Sequence, residues 1–136
     1  MKALLVVMIS LFSFNLMAEE CANNIAELKQ ITGNNGLALE WQENTNKNPL
    51  HLTLKDGGGQ LNLRLRTIKG EWATVTGTVC TKGSNYIAKV SKIVWGPEAP
   101  GIAKAAGIKE LKLKLPYPNV LKVSVSLLSF EFHPAR

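Results

Sequence analysis

A chain of 136 residues with a formal charge of +6 leaves room for one domain and excludes a second beside it. Two histidines, two cysteines and 10 scattered acids form no catalytic, metal-binding or nucleotide-binding constellation, so neither an enzyme nor a cofactor is expected. The basic excess favours polyanions such as phospholipid head groups, lipopolysaccharide, acidic polysaccharide or nucleic acid, and it serves solubility equally well.

Residues 1–18 read as a cleavable signal peptide. Lys2 gives a positive start, Ala3 to Phe14 an apolar run, and Leu16-Met17-Ala18 a small residue before the cut. The run stops at Asn15, short of the roughly 20 residues that cross a bilayer as a helix, so no transmembrane anchor is expected. Cys21 follows Glu19 and Glu20, which argues against lipidation. The mature domain is then 19–136, periplasmic or secreted, and losing Lys2 lowers the charge from +6 to +5. An oxidising destination pairs Cys21 with Cys80. Closing that loop of roughly 60 residues stabilises the fold by roughly 4 kcal/mol on the chain-entropy account.

The mature chain opens with a short amphipathic helix over 24–32: Asn24 caps it, Glu27 stands at the third helical position, Ile25, Leu28 and Ile31 share a face, and Gly33 ends it. Leu37, Leu39 and Trp41 then alternate as a strand does, and 43–48 is a polar loop. Leu50, Leu52 and Leu54 alternate with His51, Thr53 and Lys55. After Asp56-Gly57-Gly58-Gly59, Leu61, Leu63 and Leu65 alternate with Asn62, Arg64 and Arg66. A two-residue turn at Lys69-Gly70 leads into the strand 71–80. Lys82-Gly83-Ser84-Asn85 turns the chain into a strand over 86–95, bulged near Ser91, where Tyr86, Ala88 and Val90 lose parity with Ile93 and Trp95. The stretch 96–107 is irregular, with a helical turn or two ended by Gly107. Leu111, Leu113 and Leu115 alternate with Lys112 and Lys114, Pro116 to Asn119 turns, and 120–132 returns with a parity switch near Leu127 and Leu128.

These elements predict a mainly β domain, a small antiparallel barrel or a sandwich, with an N-terminal helix stapled by the disulfide. From residue 60 the order of three strands, short helix and two strands resembles that of an oligonucleotide/oligosaccharide-binding barrel.

Functional candidates are the outward cations Lys55, Arg64, Arg66, Lys112 and Lys114, which bind phosphate or sulfate if their strands are neighbours and otherwise form a solvated face. Trp72 shares parity with Thr74, Thr76 and Thr78 and is expected on the wet side, with Tyr86 across the hairpin, as a platform for a base or a sugar. Trp41 and Trp95 are expected in the core and Tyr117 on the surface. The leading expectation is an exported, non-enzymatic binding module for an anionic or glycan component of the cell envelope. The alternatives are a protein-interaction factor, a hydrolase inhibitor or an envelope assembly subunit acting through the loops 96–107 and 116–119, and a carrier of apolar ligands.

Overall fold

The computed structural model describes residues 19–44, 47–105, 107–125 and 128–135. The signal-peptide expectation lies outside them. Its elements in chain order are β1 (Cys21–Ala22), α1 (Ile25–Thr32), β2 (Glu40–Glu43), β3 (His51–Asp56), β4 (Leu61–Thr67), β5 (Gly70–Lys82), β6 (Asn85–Trp95), α2 (Gly101–Ala105), β7 (Glu110–Tyr117), β8 (Val120–Val125) and β9 (Leu128–Pro134).

Every pairing is antiparallel. Strands β2 to β9 each pair with the next in sequence, and β9 returns to β2, with Gln42 opposite His133, so the sheet closes into an eight-stranded up-and-down barrel. Closure leaves no free edge on the ring, which removes the template for edge-to-edge aggregation. After residue 60 the order is three strands, helix and three strands, because the last return divides in two, and these strands belong to a meander rather than to a five-stranded Greek key. β1 adds to the far half of the long strand β5, beyond the stretch that β4 covers.

Period-two alternation explains the interior. Leu52, Leu54, Leu61, Leu63, Val75, Val79, Leu111, Leu113, Leu121 and Val123 face inward, joined by Trp41 and Phe132 at full burial. Each such side chain contributes roughly 1.5–3 kcal/mol by leaving water. Among the described residues the ladders shift register in three places, between Lys114 and Tyr117 on β7 and at two positions along β5. Opposite Thr76 and Gly77 the register shifts between Val90 and Lys92, so Ser91 is the extra residue, as the parity change predicts. Opposite Leu65 and Arg66 it shifts again, pairing Leu65 with Ala73 and Arg66 with Glu71, and Trp72 is left without a partner on β4.

Two expectations about strands are corrected. The strand at Leu37 to Trp41 begins only at Glu40: Leu37 is buried, while Leu39 is 40% exposed. The long return over 120–132 is two strands, with Val125 opposite Leu128. The parity switch there marks the change of strand, and no Gly, Pro or Asn announces it.

One end of the barrel is closed by α1. Asn24 Oδ1 accepts from the Glu27 N–H at 2.8 Å, Glu27 Oε1 accepts from the Asn23 N–H at 2.8 Å, and Gly33 ends the helix at φ 66°. Asp56, at the end of β3, accepts from the Ile25 N–H at 2.6 Å and sets a negative charge at the helix start. Leu28 is buried in the core, and Ile25 and Ile31 pack against it. The Cys21–Cys80 disulfide joins β1 to β5 just before the helix, with Cα atoms 4.0 Å apart. The other end carries the β4–β5 turn and the α2 loop. From inside, Trp72 reaches across that end from β5 to β9 and meets Phe130 edge-on, ring centroids 5.7 Å apart.

Candidate functional site

Closure of the barrel decides which cations are neighbours. Lys55 on β3 and Arg64 and Arg66 on β4 lie on adjoining strands, whereas β7, with Lys112 and Lys114, is three strands from β4 and four from β3 around the ring. The five cations therefore form two groups on opposite walls and share no face. Within the first group, Arg64 Nε donates to both carboxylate oxygens of Glu71, at 2.9 and 3.1 Å, and Nη2 forms a further ion pair with Oε1. That hydrogen bonding holds the Glu71 carboxyl below its ordinary range, slight burial opposing, with the charges of Arg64 and Arg66 lowering it further. The same contact raises the Arg64 guanidinium. Arg64 is thus already neutralised by a partner of its own chain.

The second group lines a depression. β6–β7 pairing begins only at Tyr86 and Leu113, while β7 runs on to Tyr117 alongside β8. A notch of about 350 Å³ opens where the β5–β6 turn and the overhang of β7 part, lined by Lys82, Asn85, Tyr86, Ile87, Lys112, Leu113 and Lys114. Lys82, Lys112 and Lys114 are exposed along it, and Tyr86, half-buried and packed on the core, shares the lining with the buried Ile87 and Leu113. Lys122 on β8 pairs in register with Lys114 and extends the positive wall, its Nζ 3.8 Å from Glu131. Lys82 and Asn85 were legible only as turn residues, because no sequence pattern connects that turn with β7.

Tyr86 lines three spaces at once. Besides the notch, it borders a second depression of about 230 Å³ with Thr32, Asn34 and Tyr117, and an apolar cavity of about 30 Å³ inside the barrel beneath α1. That interior volume is of the order of a water molecule and is lined by apolar side chains of the core.

The expected aromatic platform is not assembled. The bulge turns Trp72 off the face of Thr74, Thr76 and Thr78 and packs it on the core, and Tyr86 lies at the barrel end instead of beside those hydroxyls. Two of those hydroxyls bond internally, Thr78 donating to Asn23 Oδ1 at 2.6 Å and Thr76 to Asn62 Oδ1 at 2.9 Å, and the neighbouring Ser91 donates to Gln60 Oε1 at 2.6 Å. Trp95 faces inward near the rim but is only half-buried, short of the core position expected for it, because β6 runs past the end of the packed interior. Tyr117 is 66% exposed, as expected.

Both histidines flank Gln42 on the outer face, His51 on β3 and His133 on β9, with His133 Nε2 3.3 Å from Glu131. Among the described residues, the grouping of metal-ligating types is Glu19, Cys21 and Cys80, whose sulfurs are bonded to each other and are not thiolates. The loops 96–107 and 116–119 stand at opposite ends of the barrel and do not form one surface. No helix among the described residues is long and apolar enough to cross a membrane.

Fold and site together define a small, disulfide-stapled up-and-down β-barrel with a lysine-lined notch beside the end its helix closes. Comparison with protein-family models, curated proteins and solved structures finds no match to this chain.

Proposed function

We propose that this protein is an exported, non-enzymatic binding module that holds an anionic component of the cell envelope, an acidic or phosphate-bearing saccharide, in the notch between the β5–β6 turn and β7. The observation that carries the reading is the convergence of Lys82, Lys112 and Lys114 with the half-buried Tyr86 on one depression. Ammonium groups on long stems supply charge without demanding a fixed geometry, which suits a polymer with repeated anionic groups. A half-buried tyrosine offers a flat apolar face to a sugar ring and a hydroxyl to its substituents. The leader-like residues 1–18 and the disulfide support export.

Heparin chromatography of the oxidised protein over a salt gradient, repeated with an acidic envelope polysaccharide, tests the reading. Lys112→Ala/Lys114→Ala is expected to elute at markedly lower salt, and Tyr86→Ala to lose affinity for the polysaccharide. Arg64→Ala/Arg66→Ala serves as the control and should change elution little, since Arg64 is paired with Glu71. Equal losses for the two double variants would replace the notch with a diffuse basic surface.

A further inference from the structure

Among the described residues the exposed large hydrophobics are Leu39, Ile68, Val94, Ile102 and Tyr117. Three of them, Ile68, Val94 and Ile102, belong to the end away from α1. Ile68 is 86% exposed at the tip of the two-residue turn joining β4 to β5, and Ile102 is 59% exposed on α2. A β-turn tip is ordinarily filled by Gly, Asn, Asp or Ser, so a fully presented isoleucine there gains nothing from folding.

The two tips are held together as one rim. The Glu98 N–H donates to the Glu71 carbonyl at 3.0 Å and the Gly96 N–H to the Trp72 carbonyl at 2.7 Å, which fastens the α2 loop to the start of β5 immediately after the turn. A side chain at Gly96 would overlap the Glu71 carbonyl, so glycine permits this close approach. Ala103 is buried, which anchors α2 and turns its neighbour Ile102 outward. Behind the turn, Trp72 and Phe130 stiffen the barrel mouth.

Each apolar tip has cations beside it: Arg66 and Lys69 by Ile68, Lys92 by Val94, and Lys104 by Ile102, all exposed. Glu71 is neutralised by Arg64, leaving Glu98 as the exposed acid of the loop before α2. Isoleucines flanked by lysines whose stems reach outward match a lipid interface, where apolar side chains enter the acyl boundary and ammonium groups meet phosphates. We propose that this rim docks the protein on an anionic lipid surface, Ile68 and Ile102 inserting and Lys69 and Lys104 pairing with lipid phosphates. The rim lies at the barrel end opposite the notch, so the two sites are separable.

The test is sedimentation of the full oxidised protein with vesicles of phosphatidylcholine alone and of phosphatidylcholine with one-third phosphatidylglycerol. Binding is expected to the anionic vesicles, reduced at least about tenfold by Ile68→Ser/Ile102→Ser and by Lys69→Glu/Lys104→Glu, and unchanged by Lys112→Ala/Lys114→Ala. These positions are exposed, so thermal melting of both rim variants should match the parent. No binding to anionic vesicles, binding that survives Ile68→Ser/Ile102→Ser, or binding abolished by Lys112→Ala/Lys114→Ala would overturn the proposal. In that last case the notch would be the lipid site, whereas loss of heparin binding alone leaves the rim untouched.

Discussion

The two ends of the barrel are closed by different physics. At the helix end, a covalent bond, a capped helix and a carboxylate at its start hold a separate element over the core. At the other end, the barrel is filled by its own strands, Trp72 meeting Phe130 across the mouth, and the loops are tied down by backbone hydrogen bonds. The lysine notch opens beside the first end and the apolar rim projects from the second. Rigid closure at both ends thus lets each present a different chemistry to solvent.

Removing the bridge should have the largest effect. Cys21→Ser/Cys80→Ser is expected to lose about 2–5 kcal/mol, read as a lower melting temperature that reductant also produces in the parent. A loss below about 1 kcal/mol would mean that β1 pairing and the caps hold the helix end without it. At the opposite end, Trp72→Ala should cost about 2–4 kcal/mol, under the range for full burial because the indole is half-buried. It should leave heparin elution unchanged, and a shift in elution would show that the two ends are coupled.

Asp56→Asn keeps an acceptor for the Ile25 N–H but removes the charge, so a loss of about 0.3–1 kcal/mol is expected, shrinking at high salt. The smallest effect belongs to the exposed Arg64–Glu71 pair. Glu71→Gln should cost a few tenths of a kcal/mol at neutral pH. Because folding lowers the Glu71 carboxyl below its ordinary value of 4.5, this contribution is complete above that pH and fades as the pH falls below it. Melting curves of parent and variant should therefore converge in acid, and a gap that widened there would refute the assignment.

Much of the fold was readable along the chain because its signals are local. Period-two leucines mark strands that are wet on one face, Asn24 and Gly33 bracket the helix, and the parity change at Ser91 locates a bulge within one strand. The same reasoning failed where two strands meet without a Gly, Pro or Asn between them, as at 125–128, and where a bulge depends on the partner strand. Trp72 has the parity of a surface residue, and only the register between β4 and β5 turns it inward.

The candidate site was legible by halves. Lys112, Lys114 and Tyr86 stand in the notch, whereas Lys55, Arg64 and Arg66 stand on the far wall, because alternation tells which face a side chain takes and never which strands are neighbours. Lys82 reaches the notch from the end of β5, 30 residues before Lys112, a separation no local pattern encodes.

By itself, then, the sequence determined what short-range geometry controls: strand and helix positions, inward and outward faces, and the pairing of its two cysteines. The tertiary structure alone decided the closure of β9 on β2, the partition of cations between opposite walls, and the gathering of Tyr86 with three lysines. Those depend on hydrogen-bond register summed around the whole ring, to which every strand contributes and which no single segment contains.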